Sequence, residues 1–355
     1  MLKIVTILTA FLFALTSHAQ PAESSYVCPP CDTACDSKTF VKPGKCDVCN
    51  MDLITKEKRE REIIEASKGK KRIAFYLQYG VEVLDFAGPM EVFAYAGYEV
   101  FTVSKNKTPI ISQGILKIIP DYSIEDAPSA DILAFFGGNS DEASKDPEVI
   151  NWVKSQKNIE YYFSVCTGAF ILAESGILKD KSATTFHGAL DNFEQSYPEI
   201  NVLKNVRFVD NGKIITTAGI SAGIDGALHL VAKLNGFNVA RKAAYYMEYD
   251  KWIPGEGLLL SEDNPYKDFT DIDKLEAYVG VYEYLDDSQI EIKINENEKS
   301  LFAIVDTRKY PLFYHKNDTF SNINDDKIIF ERKRNHSING FKSNKYGDKL
   351  FIKLN

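Results

Sequence analysis

The sequence contains no basic tract, and after its first residues it contains no long apolar run. The 355-residue chain has 42 Lys and Arg residues against 50 Asp and Glu, which gives a net charge of −8 at pH 7. Proteins that bind nucleic acid usually carry a basic footprint. The acidic balance, together with the absence of a helix-turn-helix pattern, therefore argues against that role. No later segment approaches the length of about 20 apolar residues that spans a bilayer.

The first apolar run, residues 4–15, is also too short to span a membrane. Lys3 precedes it, and Ser17-His18-Ala19 follows it. A positive start, an apolar centre and a small-residue cleavage site are typical of a secretory signal peptide. We predict that residues 1–19 are a signal peptide and that the mature protein is exported, either periplasmic or extracellular. No cysteine follows the cleavage point, which argues against a lipid anchor there.

Cysteine is scarce outside one short segment, because five of the six cysteines lie between residues 28 and 49. Cys28-x-x-Cys31 and Cys46-x-x-Cys49 form two knuckles with the spacing of a zinc ribbon, and each brings two thiolates within reach of one ion. The competing interpretation is a disulfide-bonded module, since an exported protein meets an oxidising compartment. The odd number of cysteines favours four metal ligands and leaves Cys35 without an assigned role.

Residues 26–54 resemble the small heavy-metal-binding domain attached to copper- and cation-transporting systems. The resemblance rests on YVCPPC at residues 26–31 and on KPGKCDVCNMDL at residues 42–53. Cys31 stands where the family usually has His, which favours an all-sulfur Zn or Cu(I) site because soft ligands select soft ions. Whether this module senses metal or is a structural ribbon stays open.

Strands alternate with helices after a charged linker at residues 55–70. Residues 73–77 and 131–136 are near-continuous apolar runs, as expected of strands buried on both faces. This alternation over residues 71–248 predicts an α/β domain with a flavodoxin-like parallel sheet between layers of helices. Ligands of such sheets bind at the carboxyl ends of the strands.

The sixth cysteine, Cys166, lies where a β-prone segment, residues 159–163, enters a helix predicted over residues 169–175 and ended by Gly176. Such a nucleophile elbow presents its side chain above the sheet edge and often strains its backbone. Because a helix N-terminus favours negative charge, we expect the pKa of the thiol to fall. The alternative is an inert buried thiol.

Two other features lie at neighbouring strand ends. Asp85 falls between the first strand and the first predicted helix, which begins at Pro89, and Gly137-Gly138 follow the strand before the elbow. The bare backbone of the glycine pair can present N–H groups to an oxyanion. Their joint placement with Cys166 indicates a site.

These segments resemble the ThiJ/PfpI superfamily and, within it, the isonitrile hydratase-like branch. That branch also includes sensor-like domains fused to DNA-binding regulators, so membership indicates the fold more firmly than the reaction. The resemblance extends in order over residues 84–93, 137–138, 164–170, 172–178, 183–185 and 218–225.

The resemblance implies that Cys166 is the nucleophile and that Asp85 is the acid beside it. A carboxyl next to a thiolate shares one negative charge, so its pKa should rise, and a protonated Asp85 can deliver a proton to the substrate. Attack on the terminal carbon of an isonitrile, followed by water, would give an N-substituted formamide. Thr167 would position water or substrate, and the Gly138 amide would stabilise developing charge.

Other polar residues depart from the patterns of related enzymes. Thr167, not a histidine, follows Cys166, so no Cys-His pair is evident. His187 lies one position later than in the hydratase branch and is interpreted as structural, as is His229 in an apolar helix. Glu91 is either a second pocket acid or a residue of the helix surface or a dimer contact.

The C-terminal part of the chain is rich in strands. We interpret residues 249–270 as a linker and residues 271–355 as a small antiparallel barrel or sandwich, because apolar residues alternate with period two. The segment resembles the lipocalin-like β domain appended to secreted bacterial hydrolases of the β-lactamase type. We interpret it as a stabilising or docking appendage.

The sequence thus predicts an exported enzyme that adds water to a small electrophile such as an isonitrile, without a cofactor for catalysis and without a nucleic-acid partner. The family resemblance also suggests a homodimer. Two alternatives stay open. One is a metal- or redox-stress module in which Cys166 is oxidised to sulfenic acid, and the other is a ligand-binding domain without catalysis.

Overall fold

The computed structural model describes residues 25–29, 35, 38–59, 61, 69–266 and 272–354. The chain divides into two compact units, Met1–Gly69 and Lys70–Asn355. The predicted signal peptide, residues 1–19, lies outside the described residues. Within the described ranges, no helix combines the length and apolar character needed to cross a membrane.

The first unit contains a three-stranded antiparallel sheet with β1 in the centre. Its strands are β1 Tyr26–Val27, β2 Thr39–Phe40 and β3 Ile54–Thr55. Its small core consists of buried cysteine side chains with a few larger apolar side chains packed against them. With so little apolar volume, the fold of this unit depends on what the cysteines bind.

The second unit begins with an α/β domain, whose strands and helices form an eight-stranded sheet covered on both faces and two separate pairs of short strands. In chain order they are β4 Arg72–Tyr76, α1 Val83–Tyr95, β5 Glu99–Ser104, β6 Ile110–Ser112, β7 Leu116–Ile118, β8 Tyr122–Ser123, β9 Ile132–Phe135, α2 Ser140–Lys145, α3 Pro147–Ser155, β10 Tyr161–Val165, α4 Ala169–Glu174, β11 Ser182–Ala183, α5 Leu190–Ser196, β12 Asn201–Val202, β13 Phe208–Asp210, β14 Ile214–Thr217, α6 Ala222–Asn235, α7 Phe237–Tyr246 and β15 Leu258–Leu259.

The sheet has the strand order β15-β13-β14-β10-β9-β4-β5-β8. Its central strands are parallel, and β13 pairs antiparallel with β14. The register aligns Phe75 of β4, Ala134 of β9 and Phe163 of β10, so the carboxyl ends of these strands meet at one edge. The predicted parallel α/β sheet is confirmed.

Alternating side chains of the sheet build a core on each face. Ile73 and Phe75 pack toward one cluster with α1, α6 and α7, whereas Ala74 and Tyr76 pack toward a second cluster with α3 and α4. Because both faces are covered, the central strands are apolar along their whole length.

Residues 249–266, which we had interpreted as part of a linker, are bound to the α/β domain instead. Strand β15 pairs with β13 at the sheet edge. Trp252 is 1% exposed, and its ring lies 5.4 Å from that of Phe237. Burial of this large aromatic side chain fixes the segment against the domain.

The C-terminal strands form a nearly closed antiparallel barrel, as the period-two alternation predicted. Each strand pairs with its neighbour in sequence, and the Leu354 N–H donates to the Val281 carbonyl at 2.8 Å where the first and last strands meet. The elements are α8 Ile272–Glu276, β16 Gly280–Glu283, β17 Gln289–Asn295, β18 Ser300–Val305, β19 Arg308–Lys316, β20 Thr319–Ser321, β21 Lys327–Arg332, β22 Ile338–Ser343 and β23 Leu350–Ile352.

Helix α7 joins the barrel to the α/β domain through buried polar contacts. The Arg241 guanidinium lies 3.2 Å from the Glu298 carboxylate and donates to the Leu312 carbonyl at 3.0 Å. The Asn238 side chain donates to the Tyr314 carbonyl at 2.7 Å. These paired contacts explain why the two domains form one compact unit.

Candidate active site and metal centre

Cys166 occupies the predicted elbow between β10 and α4. Its φ angle is +58°, a left-handed conformation that costs a residue with a side chain about 1–2 kcal/mol. Two contacts hold this conformation: the Cys166 N–H donates to the Ala218 carbonyl at 3.2 Å, and the Thr185 hydroxyl donates to the Cys166 carbonyl at 2.7 Å. The strained turn places the sulfur at the carboxyl edge of the sheet.

Asp85 meets Cys166 from the first turn of α1. The helix begins at Val83, earlier than the predicted start at Pro89, so Asp85 lies within the helix and not before it. Its carboxyl group is fully buried and accepts two backbone N–H groups, from Gly137 at 2.9 Å and from Ile220 at 3.1 Å. The carboxyl is also in hydrogen-bond contact with the thiol.

The backbone of the Gly137-Gly138 turn packs closely against the side chains of Cys166 and Asp85. A Cβ atom on Gly137 would lie 2.7 Å from the Cys166 sulfur and 2.8 Å from the Asp85 carboxylate, closer than real Cβ contacts allow. Gly138 has φ of +91°, and a Cβ atom there would lie 2.2 Å from the Gly80 carbonyl oxygen. Both positions therefore require glycine.

The Gln78 side chain holds the Gly137-Gly138 turn in place through two hydrogen bonds. Its amide nitrogen donates to the carbonyls of Phe136 and Gly137, at 2.9 and 3.0 Å. No sequence motif points to Gln78, and the one indication of its role is its place just beyond β4, at the carboxyl edge of the sheet. Thr185 lay inside a matched motif without an assigned role, and Ile220 acts through its backbone N–H, which no side-chain pattern reveals.

Of the two expected pKa shifts, the one for Asp85 is found and the one for Cys166 is not. Burial, followed by the charge of Asp85, raises the pKa of the Cys166 thiol to about 12, and the Thr167 N–H lowers it only in part. The expected fall in this pKa is therefore wrong, because burial and a neighbouring carboxylate outweigh a helix start of two short turns. The expected rise for Asp85 is confirmed: burial raises its pKa to about 6.

The pair therefore carries one negative charge near pH 7. Two backbone N–H groups stabilise the carboxylate, whereas the sulfur has one, from Thr167. We accordingly place the charge on Asp85 and the proton on Cys166. This reverses the expected protonated Asp85, since at pH 7 a carboxyl with a pKa of about 6 is mostly ionised.

Two further predicted residues have polar groups without a hydrogen-bond partner in the described part of the chain. The Thr167 hydroxyl is buried and has no hydrogen-bond partner in the described part of the chain. The Gly138 N–H likewise meets no acceptor among the described residues. Their predicted roles in positioning water and in stabilising charge stay predictions, as do the catalytic roles of Cys166 and Asp85.

Neither His187 nor His229 joins the site. His187 is exposed, and the ring beside the sulfur belongs to its neighbour Phe186: Gly219 lies between that ring and Cys166. His229 is fully buried and is hydrogen-bonded to Asp210 at 2.9 Å and to Tyr266 at 3.0 Å, which fits a structural role.

Glu91 lies on the exposed face of α1. This exposure argues against a second pocket acid and agrees with the other two interpretations, a residue of the helix surface or of a dimer contact. Glu91 therefore offers a charge-removal control on the same helix as Asp85.

The N-terminal unit brings four cysteines together, in a set that only partly matches the prediction. The sulfur atoms of Cys28, Cys35, Cys46 and Cys49 all lie within 4.8 Å of one another. Cys35, to which the sequence assigned no role, belongs to this cluster, and the predicted ligand Cys31 lies outside the described residues. No disulfide bond joins any two of these four described cysteines, which agrees better with the metal-ligand interpretation than with the disulfide alternative.

The cluster fits a tetrahedral metal ion. A zinc–sulfur bond of about 2.3 Å places tetrahedral sulfur ligands about 3.8 Å apart. The sulfur–sulfur distances in the cluster lie on both sides of this value, from 3.1 Å between Cys28 and Cys49 and 3.7 Å between Cys35 and Cys28 up to an upper limit of 4.8 Å. Backbone N–H groups of Cys49 and Val48 lower the pKa of the Cys46 thiol to about 7. Turn amides therefore prepare this sulfur to bind a cation as a thiolate.

Comparison with known proteins identifies a family for each of the two regions that contain these candidate sites. Residues 71–233 match the DJ-1/PfpI family, and residues 25–56 match the heavy metal binding domain. The isonitrile hydratase of Pseudomonas putida is 34% identical over 181 residues, which cover 50% of this chain and 78% of that protein. The chain belongs to the DJ-1/PfpI family.

Other relatives match the same domain. The HTH-type transcriptional regulator CdhR of Pseudomonas aeruginosa is 28% identical, and the match covers 47% of this chain and about half of that regulator, 51%. A solved ThiJ/PfpI family protein from Pseudomonas syringae is 29% identical, with a TM-score of 0.48, over 53% of this chain and 79% of that one.

Proposed function

We propose that the DJ-1/PfpI domain is a cysteine-dependent hydratase whose substrate is a small electrophile of the isonitrile type. The observation that carries this proposal is the buried pair of Cys166 and Asp85, held by backbone N–H groups and closed by Gly137. The 34% identity to an isonitrile hydratase supports the choice of substrate class.

In the first step, the Cys166 sulfur attacks the terminal carbon of the isonitrile. The S–H bond breaks as the S–C bond forms, and the Asp85 carboxylate accepts the thiol proton and passes it to the same carbon. The product is a thioimidate on Cys166. A carboxylate with a pKa near 6 suits this work, because it can both accept and release the proton near neutral pH.

In the second step, water adds to the thioimidate carbon. The unpartnered Thr167 hydroxyl orients the water, and the free Gly138 N–H stabilises charge that develops as the tetrahedral species forms. One water proton goes to nitrogen and the other returns to sulfur through Asp85 as the C–S bond breaks. The net reaction adds one water to the isonitrile and releases an N-substituted formamide.

Cyclohexyl isocyanide tests the proposal directly. We expect the full chain to form N-cyclohexylformamide, and we expect Cys166→Ser and Asp85→Asn to lose this activity. Glu91→Gln, which removes an exposed carboxylate from the same helix, should retain it. Absence of formamide from the wild-type protein would refute the hydratase assignment.

A second candidate function is a metal- or redox-stress module, which the N-terminal heavy metal binding domain favours. Cys166 would then be oxidised reversibly to sulfenic acid by peroxide. Stoichiometric sulfenate at Cys166, without turnover of isocyanide, would support this candidate. If neither turnover nor sulfenate occurs, the remaining interpretation is a ligand-binding domain without catalysis.

We further propose that the four-cysteine cluster holds Zn or Cu(I), because an all-sulfur set selects soft ions. Metal analysis of protein purified under reducing conditions tests this, with about one ion per chain expected. We also propose that the protein is exported and forms a homodimer. Cell fractionation and light scattering on the purified protein test these two points.

A further inference from the structure

The C-terminal barrel encloses a cavity of about 250 Å³. Side chains that alternate along neighbouring strands form its wall, because every second residue of a strand faces the same side. Seven of these strand side chains are apolar: Ile290, Ile292, Ala303, Val305, Leu312, Ile328 and Phe341. The inner surface of the barrel is therefore apolar at this point.

Another part of the barrel interior is filled. The rings of Tyr278, Tyr282, Phe320 and Phe330 pack against one another with centroids 4.9 to 5.9 Å apart. Protein interiors are normally packed to this density, and voids larger than a water molecule are few. Side chains around a void lose dispersion contacts. A large apolar space beside a tightly packed cluster thus indicates a binding site.

One polar group inside the cavity is free to bind a ligand. Ser343 lines the cavity, is 5% exposed, and accepts a hydrogen bond from the Lys345 N–H at 3.4 Å. Among the described residues, no acceptor takes the proton of its hydroxyl. The Asn322 side chain at the same end is already bonded to Asp326 and to the backbone of its own loop. Ser343 is therefore a buried hydroxyl donor that the cavity offers to a ligand.

We propose that this cavity binds a small neutral molecule with an apolar body and one hydrogen-bond acceptor, which receives the Ser343 proton. An apolar cavity of about 150 Å³ holds benzene, so this volume accommodates about ten non-hydrogen atoms. The two charged residues at the cavity, Asp326 and Lys345, have opposite signs and give no preference for an ion. The site is independent of the Cys166 chemistry.

Para-fluoroacetophenone is a suitable probe, because it has this size, one carbonyl acceptor and a fluorine label. Fluorine NMR of the probe with the full chain should show saturable binding of one molecule per chain. Ala303→Trp should abolish binding by filling the cavity. Ile304→Trp, which adds the same side chain on the outward face of the same strand, should bind as the wild type does.

A second variant keeps the test decisive if Ala303→Trp does not fold. Ser343→Ala should weaken binding of the ketone about fivefold, which is the change in affinity expected when one typical hydrogen bond is lost. It should leave binding of para-fluoroethylbenzene, which has no acceptor, unchanged. The proposal is overturned if the wild-type protein shows no saturable binding. It is equally overturned if neither Ala303→Trp nor Ser343→Ala alters ketone binding, which would place the probe elsewhere.

Discussion

Removal of the Asp85 charge should make Cys166 more reactive toward an alkylating agent while it abolishes the proposed hydration. Asp85→Asn keeps the size of the side chain but deletes the carboxylate that raises the pKa of the thiol. Hydration needs the carboxylate to move a proton, whereas alkylation needs only the thiolate. The two reactions should therefore respond to this substitution in opposite directions.

The magnitude follows from the arrangement of the pair. A neighbouring charge of the same sign changes a pKa by about 1–3 units, so the pKa of Cys166 should fall from about 12 by that amount. A thiolate of lower pKa is also a weaker nucleophile, with a Brønsted coefficient of about 0.4–0.5. The two effects combine to a net acceleration of about 3- to 50-fold.

The assay is alkylation by iodoacetamide at fixed pH, with the label on the Cys166 peptide quantified by mass spectrometry. Reading that peptide alone separates Cys166 from the five N-terminal cysteines. Glu91→Gln is the matched control, because it removes an exposed carboxylate from the same helix and should leave the rate unchanged.

Two results would refute this reasoning. If Asp85→Asn slows alkylation or leaves it unchanged, the carboxylate does not suppress the thiolate. If wild-type Cys166 is alkylated at its full rate already near pH 6, its thiol is ionised there. In that case the expectation from the helix N-terminus was right and the charge lies on sulfur, not on Asp85.

Four further predictions concern the same groups and the metal cluster. The kcat/KM for isocyanide should rise with pH through an apparent pKa of about 6, because Asp85 must be ionised to accept the thiol proton. Burial raises the pKa of Asp85 in the folded protein above its value in the unfolded chain. The carboxyl therefore contributes to the free energy of unfolding below about pH 4, and this contribution is lost as the pH rises through about 6. Between pH 4 and pH 8, denaturant titrations should show the free energy of unfolding falling by about 2 kcal/mol more for the wild type than for Asp85→Asn. Gly137→Ala should abolish turnover and cost about 1–3 kcal/mol in a urea titration, because its methyl group overlaps the Cys166 sulfur. Cys35→Ser should reduce bound metal well below one ion per chain in metal analysis, whereas retention of a full equivalent would exclude Cys35 from the ligand set.

The residues of the candidate site could be predicted because short motifs encode them. A cysteine between a strand and a helix, and a glycine pair after the preceding strand, are local patterns, and a parallel sheet brings strand ends to one edge. Asp85 could be placed at that edge for the same reason. Its position inside α1 was missed because Gly88 and Pro89 indicate a helix start, yet the helix continues back to Val83.

The protonation of the pair could not be predicted, because it depends on contacts made by distant segments. Burial of Cys166 and the backbone N–H groups that Gly137 and Ile220 donate to Asp85 arise only when the whole sheet is assembled. Cys35 was missed for a related reason. Cys-x-x-Cys spacing identifies paired ligands, but the path of the intervening loop decides which other cysteine approaches them.

The charge state of the pair also bears on the choice between hydration and redox sensing. A sensor cysteine reacts with peroxide as an exposed thiolate of low pKa, whereas Cys166 is buried and its thiol has a raised pKa. An isonitrile carbon needs both a nucleophile and a proton, and a neutral thiol beside a carboxylate supplies both from one group. The arrangement that makes Cys166 a poor peroxide sensor is therefore the one that suits addition of S–H across a carbon. For this reason we place hydration first and assign the metal-related function to the cysteine cluster of the N-terminal unit.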